Sequence, residues 1–494
     1  MWERLGNIYR NRYVRFAFVT LLYIAIVVWT GHYLWLLGLP IVVDHYITRK
    51  VHWFFWRKRG VKKQKAWVEW LDALLFAVVA ATLIRLLLLE AFVIPSGSME
   101  KTLLVGDYLF VSKVSYGPKM PVTPIAFPFA HHTLPLTDHT PSFLSSPQWK
   151  YDRRPGFGKV ERNDVVVFHF PEGDTVVVGY QDRSYYQMVR DMGRASLHRD
   201  HELLYRPVDR RENYIKRCVA LPGDKLEIVA GQVYINGEAQ PQFPYIQRNY
   251  EVRTNGTPIN TRILEKCGVY EEDRLYNPLT RSYLMPLTAE HIETLRALPN
   301  VDSVVPYNDT DYDLMSRYIF PHDGRRWTED NFGPLVVPAR GATVSLTRET
   351  LPLYRRIIEV YENNRLEVQT GVESDTYLIN GAPATSYTFQ MDYYFMMGDN
   401  RDASLDSRYF GFVPETHIVG KPMFTWMSIE GFFSNDQSHY QANGMKLRFD
   451  RMFKATNTGN ADKASYWWLA VILFTLFFGW EYFVKFFKKK KEED

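Results

Sequence analysis

The chain has 494 residues, of which 46% are hydrophobic and 15% aromatic, and its formal net charge is +4 at pH 7. This composition argues against disorder, and the length leaves room for a membrane anchor and two or three folded modules. Basic residues cluster beside apolar runs, as in the cytoplasmic flanks of membrane helices, which argues against a nucleic-acid-binding surface. Two cysteines, Cys218 and Cys267, are too few for a disulfide framework or a structural zinc site, and whether they pair is left open.

The first predicted membrane span covers residues 16–43, which carry no charge and exceed the roughly 20 residues that a membrane helix needs. The run is too short for two spans. We interpret it as one long helix, tilted or kinked at Gly31, and leave a kinked re-entrant segment open. The arginines that precede the run are also typical of a secretory signal, but the run is too long for one and no small-x-small site follows.

A second span is predicted at residues 71–94, after a basic loop at residues 44–66. The positive-inside rule places this loop in the cytoplasm and everything after residue 94 on the outer side. A third apolar run, residues 464–487, is followed by a lysine-rich tail and gives the same orientation independently. The sequence therefore predicts a multi-pass membrane protein with an external central domain and a cytoplasmic carboxyl terminus.

Arg85 lies inside the second predicted span. We interpret it as a side chain that reaches toward the outer interface. We do not pair it with Glu90, because residues five apart in a helix do not share a face.

The central domain is predicted to be mainly β. Alternating or continuous apolar runs predict strands at residues 107–114, 164–170 and 213–220, and Asn-Gly turns predict hairpins that end near Gly237 and Gly381. The segment 239–375 is more polar and contains two helix patterns, so it is interpreted as an inserted α+β module. The predicted domains are an anchor (1–94), a core in two parts (95–238 and 376–434), the inserted module (239–375) and a carboxyl-terminal membrane helix (464–487).

Ser98 and Lys216 are the candidates for chemistry. Ser98 follows Pro95 in a Ser-Gly-Ser-Met sequence, which taken alone favours an ordinary loop. Lys216 stands in the middle of a predicted strand. If buried, its pKa falls and the neutral amine can take a proton from a serine; an edge-strand lysine that faces water is the alternative. None of the histidines, among them His131, His132 and His169, stands in a catalytic or metal-binding pattern.

Three motifs occur in order: SGSM at residues 96–99, YIKR with LPGD at 214–224, and GDNRDASLDSR at 398–408. Together they closely resemble signal peptidase I, a family of bacterial membrane endopeptidases that remove signal peptides. The resemblance implies a signal-peptidase-type antiparallel β catalytic domain in the inner membrane, cleavage after a small-x-small site, an acyl-enzyme intermediate, and no metal or cofactor.

By this resemblance Ser98 is the nucleophile and Lys216 the general base, and the Ser96 hydroxyl forms the oxyanion hole with the Ser98 backbone N–H. Ser404 would orient the lysine, and Asp406 with Arg408 would brace the site. The remaining implied residues are the scaffold Gly398, Asp399, Asn400 and Arg401, and the lining of shallow substrate pockets by Phe92, Ile94, Pro95, Met99, Leu103, Tyr214 and Ile215.

One departure from the family pattern is Lys101, which stands where proline is common and could in principle compete as a base. The expected partners are exported preproteins, the lipid bilayer and the secretion translocon, with no nucleic acid. Two alternatives stay open, a catalytically silent relative that binds signal peptides or scaffolds translocation, and a Ser-Lys protein that cleaves itself. The sequence does not name preferred preproteins, the role of the insert or the oligomeric state.

Overall fold

The computed structural model describes residues 11–456 except 32, 54, 59–63, 138–139, 182, 272, 309–314, 316, 372–374 and 432–444. The third predicted span, residues 464–487, lies outside the described residues.

The first apolar run is not one helix. Helix α1 (Arg12–Thr30) ends at Gly31, whose left-handed backbone (φ 63°) lets its N–H bond to the carbonyls of Val27 and Val28. A 3-10 helix (Tyr33–Gly38), helix α2 (Leu39–Val43) and a π-helical turn (Asp44–Thr48) follow. The prediction of one long helix over 16–43 is therefore wrong, because the glycine cap at the suggested kink position ends the helix.

The second apolar run is split between two kinds of structure. Helix α3 (Ala66–Leu87) begins earlier than predicted and ends before residue 94, and Leu89–Val93 is strand β1. The run stays apolar across this boundary, so hydropathy alone cannot locate it. α1 and α3 are the two described helices that are long and apolar enough to cross a membrane.

The strand also shows that the decision not to pair Arg85 with Glu90 is wrong. The Arg85 guanidinium Nε lies 2.6 Å from a Glu90 carboxylate oxygen, and Lys113 Nζ lies 2.8 Å from the other oxygen. Helical spacing does not apply to this pair, because Glu90 is on β1 and not on α3. Arg85 is therefore paired at the junction of helix and sheet.

Twenty-four strands occur within the described residues. In chain order they are β1 (Leu89–Val93), β2 (Asp107–Ser112), β3 (Val165–His169), β4 (Thr175–Val177), β5 (Leu203–Tyr205), β6 (Asn213–Ala220), β7 (Lys225–Val229), β8 (Gln232–Ile235), β9 (Glu238–Ala239), β10 (Arg248–Thr254), β11 (Leu275–Asn277), β12 (Ser282–Leu287), β13 (Val301–Pro306), β14 (Phe332–Val336), β15 (Thr343–Ser345), β16 (Leu366–Gln369), β17 (Thr376–Ile379), β18 (Ala382–Ala384), β19 (Ser386–Thr388), β20 (Tyr393–Met397), β21 (Val413–Pro414), β22 (Ile418–Glu430), β23 (Lys446–Leu447) and β24 (Lys454–Ala455). The remaining α-helices are α4 (Tyr185–Met192), α5 (Arg194–Asp200), α6 (Thr261–Lys266), α7 (Ala289–Arg296), α8 (Leu351–Arg356) and α9 (Ser407–Phe410).

The main sheet is antiparallel, with strand order β1-β2-β22-β3-β6-β20-β21 and with β23 and β24 added to β22. β1 is an edge strand, yet the 3-10 turn Gly97–Met99 that follows it contacts β6, four strands away. The sheet is therefore curled. Its curl encloses the buried side chains Ile94, Met99, Leu103, Leu109 and Val165, and the mainly β, curled antiparallel fold agrees with the prediction.

The segment predicted as one inserted module contributes to two different cores. Strands β10 to β13 form a separate sheet, which packs with α6 and α7 around buried residues such as Val252, Met285 and Leu295. In contrast, β14 pairs with β7, and α8 joins the core of the β7–β8 hairpin. Composition placed these elements in one module because it carries no information about strand pairing. Cys218 and Cys267 are buried, free thiols.

Gly420 lies where strands β22 and β2 approach each other closely. A Cβ at this position of β22 would lie 2.4 Å from the Ser112 carbonyl oxygen of β2. Gly420→Ala should therefore destabilise the domain by about 1–3 kcal/mol, the usual cost of overpacking. The measurement is the apparent Tm of the detergent-solubilised protein. Gly158→Ala is the control, because its Cβ would meet its nearest atom at 3.8 Å; equal Tm values for the two variants would contradict the prediction.

Candidate active site

Ser98 is held by a short turn between the edge strand and the core. Pro95 and the extended Ser96 end β1, and the single 3-10 turn Gly97–Met99 carries Ser98. The Met99 side chain is fully buried in the curled sheet and so fixes the turn in place. The Ser98 side chain stays half-buried, within reach of a substrate.

Lys216 lies opposite this turn. It is buried in β6, which pairs with β3 on one side and with β20 on the other, so the alternative of a water-facing edge lysine is wrong. Its Nζ lies 2.5 Å from Ser98 Oγ, within hydrogen-bond distance. Burial lowers the pKa of Lys216 to about 8, although the Asp406 and Asp399 carboxylates act in the opposite direction. A large share of the amine is therefore neutral in mildly alkaline solution.

A buried ion pair ties the two catalytic candidates together. Arg217, next to Lys216, donates from Nε and Nη2 to the Asp399 carboxylate at 2.7 and 2.5 Å, and Thr102 Oγ1 donates to the same carboxylate at 2.6 Å. Both charged side chains are almost completely buried. The sequence analysis missed Arg217 and Thr102; a charged residue inside an otherwise apolar strand was the available signal for Arg217.

Asn400 extends the same contact to the Ser98 turn. Its backbone N–H donates to the Ser98 carbonyl at 3.2 Å, and its side-chain amide donates to the Gly97 carbonyl at 3.1 Å. The Gly398–Arg401 loop thus binds the backbone of the Ser98 turn through Asn400, and it binds β6 through Asp399. This geometry is consistent with the scaffold role implied for these residues.

Asp406 and Arg408 form the second buried pair. Asp406 accepts the Gly398 N–H at 3.0 Å and two guanidinium bonds from Arg408 at 2.9 and 2.8 Å. Burial by itself raises the pKa of Asp406, but the adjacent Arg408 outweighs it and holds the pKa below its usual value. The pair therefore fixes the start of α9 and the backbone of Gly398.

Ser404 does not make the expected contact with the lysine in this structure. Its hydroxyl is buried and has no hydrogen-bond partner among the described residues. It packs instead against Gly398, where a Cβ would come within 2.2 Å of Ser404 Oγ and 2.6 Å of the Ser98 carbonyl oxygen. Only a glycine fits between these two serines.

The residues implied for substrate binding have four different surroundings. Ile94, Met99 and Leu103 are buried in one cluster, and Ile215 packs against it. Phe92 packs with Val111 and Val167, Tyr214 stacks on Phe170 with ring centroids 4.5 Å apart, and Pro95 is exposed. The first cluster lies next to the dyad because Met99 follows Ser98 directly and Ile215 precedes Lys216.

Lys101 is directed away from the dyad. Its backbone is left-handed (φ 69°), and its Nζ donates to the Gly268 carbonyl of the separate β10–β13 unit at 2.9 Å. It therefore connects the catalytic loop to this unit. In the part of the chain that the structure describes, no three His, Cys, Asp or Glu side chains are grouped as metal ligands would be.

A family model described as "Signal peptidase, peptidase S26" matches residues 67–283 and 340–427. The chain belongs to this family. The matched segments contain Ser98, Lys216 and the 398–408 motif.

Relatives named signal peptidase I match the chain over most of its length. The protein of Buchnera aphidicola from Schizaphis graminum is 25% identical over 408 residues, which is 80% of this chain and 88% of the relative. The protein of Buchnera aphidicola from Acyrthosiphon pisum is 26% identical over 71% of this chain and 72% of the relative. The Haemophilus influenzae protein is 26% identical over 78% of this chain and 75% of the relative.

Asp399→Asn tests the buried ion pair. The substitution leaves the Arg217 guanidinium buried without its counter-charge, so we expect a loss of about 3–5 kcal/mol of stability. The measurement is unfolding of the detergent-solubilised protein followed by tryptophan fluorescence. Asp200→Asn is the matched control, since Asp200 pairs with Arg199 on the exposed surface and its loss should leave the unfolding curve unchanged. Coincident curves for both variants would show that the buried pair is not needed.

Proposed function

We propose that this chain is a membrane-anchored serine endopeptidase that cleaves signal peptides from exported preproteins after a small-x-small site. The observation that carries the proposal is the 2.5 Å separation of Lys216 Nζ and Ser98 Oγ, with the lysine buried in a paired strand. The relatives named signal peptidase I support the class of substrate.

The proposed reaction begins with proton transfer. Neutral Lys216 takes the Ser98 hydroxyl proton as Oγ attacks the scissile carbonyl carbon. The Ser98 backbone N–H and the Ser96 hydroxyl donate to the developing oxyanion, and each such donor contributes about 3 kcal/mol. The Lys216 ammonium then protonates the leaving amine and the mature protein departs. Lys216, neutral again, takes a proton from water as the water attacks the acyl carbonyl carbon. The bond to Ser98 Oγ then breaks, Oγ recovers a proton from the Lys216 ammonium, and the signal peptide is released.

The other site residues are proposed to hold this geometry and to select the substrate. Asp399, Asn400 and Gly398 fix the distance between turn and strand, while Asp406 and Arg408 brace Gly398. Ser404 Oγ and the Ser98 carbonyl both lie against Gly398, and Ser404 is proposed to orient the amine during turnover. The apolar cluster around Ile94 and Ile215 is proposed to line shallow pockets that accept only small side chains.

The chain connectivity supports a site close to the membrane. α3 passes through Leu88 directly into β1, and Ser98 follows the end of β1 by only five residues. We propose that α1 and α3 anchor the protein in the inner membrane, with the basic loop in the cytoplasm and the catalytic domain outside. The proposed third span, residues 464–487, would return the carboxyl terminus to the cytoplasm.

Cleavage of a preprotein with an Ala-x-Ala site tests the dyad. Ser98→Ala should abolish cleavage after the final alanine, and Lys216→Gln should lower kcat/KM by roughly 10²–10⁴-fold through loss of the general base. Lys101→Gln is the matched control and should cleave at close to the wild-type rate, because Lys101 is bonded to Gly268. The cleavage position is read by sequencing the product's amino terminus.

Two results would refute these assignments. Wild-type cleavage rates in both Ser98→Ala and Lys216→Gln would show that these two residues are not the catalytic dyad. A wild-type protein that binds several preproteins and cleaves none would favour the binding or scaffold function instead.

The pH dependence of kcat/KM tests the base directly. Only the neutral amine accepts a proton, so the rate should rise through a midpoint near pH 8 and then level off. Below the midpoint the neutral fraction falls tenfold per pH unit, so kcat/KM at pH 6 should be roughly 100-fold lower than the plateau. Tryptophan fluorescence at each pH controls for unfolding. A midpoint near pH 6.5 would instead indicate a histidine base.

A further inference from the structure

An open cavity lies away from the dyad, at the junction of α3 and the irregular segment after β2. Its volume is about 240 Å³. The last turns of α3 form one wall, through Thr82, Arg85 and Leu86. Neither the proposed dyad nor the proposed substrate-binding residues line it.

The cavity carries excess positive charge. Its lining contains four cationic side chains, Arg85, Lys113, Lys119 and Arg210, and two carboxylates, Glu90 and Asp209. Arg85 and Lys113 share Glu90, as described above. Two positive charges are therefore not balanced within the lining.

Lys119 and Arg210 are the two cationic side chains of the lining that form no ion pair with a described carboxylate, whereas Arg85 and Lys113 both contact Glu90. Neither has a carboxylate within ion-pair distance among the described residues; Lys119 Nζ donates to the Thr416 carbonyl at a long 3.3 Å, and Arg210 donates to Thr123 and to the His131 carbonyl. Burial, aided by the nearby Arg153, holds the pKa of Lys119 well below its usual value. A bound anion would offset the free-energy cost of burying the Lys119 and Arg210 charges without a carboxylate partner.

The same cavity contains acceptors that need a donor. Two buried oxygens, Asp209 Oδ1 and Asn213 Oδ1, have no hydrogen-bond partner among the described residues, and both side chains line the cavity. Unsatisfied buried acceptors of this kind are uncommon in folded proteins. A ligand that fits must therefore combine an anionic group with hydroxyl or amine donors.

The position of the cavity indicates where such a ligand comes from. α3 has 22 residues, so it is about 33 Å long and sufficient to cross a hydrocarbon layer of about 30 Å. Arg85 is third from its end, so an α3 that crosses the membrane would place it near the headgroups. The rings of Phe127 and Phe129 also line the cavity and are about half exposed, so they offer apolar surface beside the charged groups.

We propose that this cavity binds the headgroup of a phospholipid, with Lys119 and Arg210 on the phosphate and with Asp209 and Asn213 accepting from headgroup hydroxyls. The proposal rests on the membrane anchoring proposed above. Such a contact would fix the height and tilt of the catalytic domain relative to the bilayer.

The test is a titration of the full chain in detergent micelles with phosphatidylglycerol, followed by native mass spectrometry. Lys119→Gln/Arg210→Gln should weaken binding at least fivefold. The control Lys225→Gln/Arg194→Gln removes one lysine and one arginine from exposed positions and should bind like wild type. Phosphatidylcholine, which has the phosphate but no hydroxyl or amine donor, should bind more weakly than phosphatidylglycerol.

Ala126→Phe provides a second variant, because it fills the cavity while keeping every charge. It should also lose binding, and it keeps the test valid if the double variant fails to fold. Wild-type affinity in Ala126→Phe would overturn the proposal. Displacement of the lipid by millimolar inorganic phosphate would overturn the lipid assignment and identify a free-phosphate site.

The failure of this proposal is distinguishable from that of the proposed function. Ser98→Ala should bind phosphatidylglycerol like wild type, whatever its effect on cleavage. Release of the full chain from membranes by alkaline carbonate would refute the anchoring and the cavity's lipid source together. If the chain stays in the membrane but wild type and Lys119→Gln/Arg210→Gln bind phosphatidylglycerol with equal affinity, only the proposed lipid site in the cavity is refuted.

Discussion

The burial of the Lys216 amine next to the Ser98 hydroxyl is the constraint on which the proposed chemistry depends. Lys216 can act as a base near neutral pH only where water is excluded, and it contacts Ser98 only while the curled sheet brings the end of β1 to β6. The desolvation cost of the lysine must be offset by the surrounding packing. The core of Ile94, Met99, Leu103 and Val165 supplies apolar burial on this side of β6.

Adjacent residues of β6 contact different segments, because successive side chains of a strand point to opposite faces of the sheet. Lys216 reaches Ser98, while Arg217 reaches Asp399 in the loop that also bonds to the Ser98 turn. The distance between Ser98 and Lys216 is therefore fixed by two connections to one strand. A buried ion pair is weak support for stability in general, but here its geometry positions a loop.

The separate β10–β13 unit is also connected to this loop. Gln247, just before β10, exchanges backbone hydrogen bonds with the 399–401 segment, and Lys101 reaches Gly268 from the other side. At the start of the domain, Glu90 joins Arg85 of α3 to Lys113 after β2. The Ser98 turn thus lies in the chain shortly after the ion-paired junction with α3, and it also contacts the β10–β13 unit through Lys101.

Features that depend on short stretches of chain were predictable from the residues alone. The motifs around Ser98, Lys216 and Gly398, the strands at β2, β3 and β6, and the Asn-Gly hairpins were all predicted, because residue identity and local periodicity are sufficient for them. Tertiary structure alone decided where α3 gives way to β1, because an apolar run suits helix or strand equally until β2 pairs with it. It also decided the pairing of β14 with β7, the Arg85–Glu90 contact and the direction of Lys101. These features depend on which distant segments of the chain contact each other, and composition and motif spacing do not contain that information.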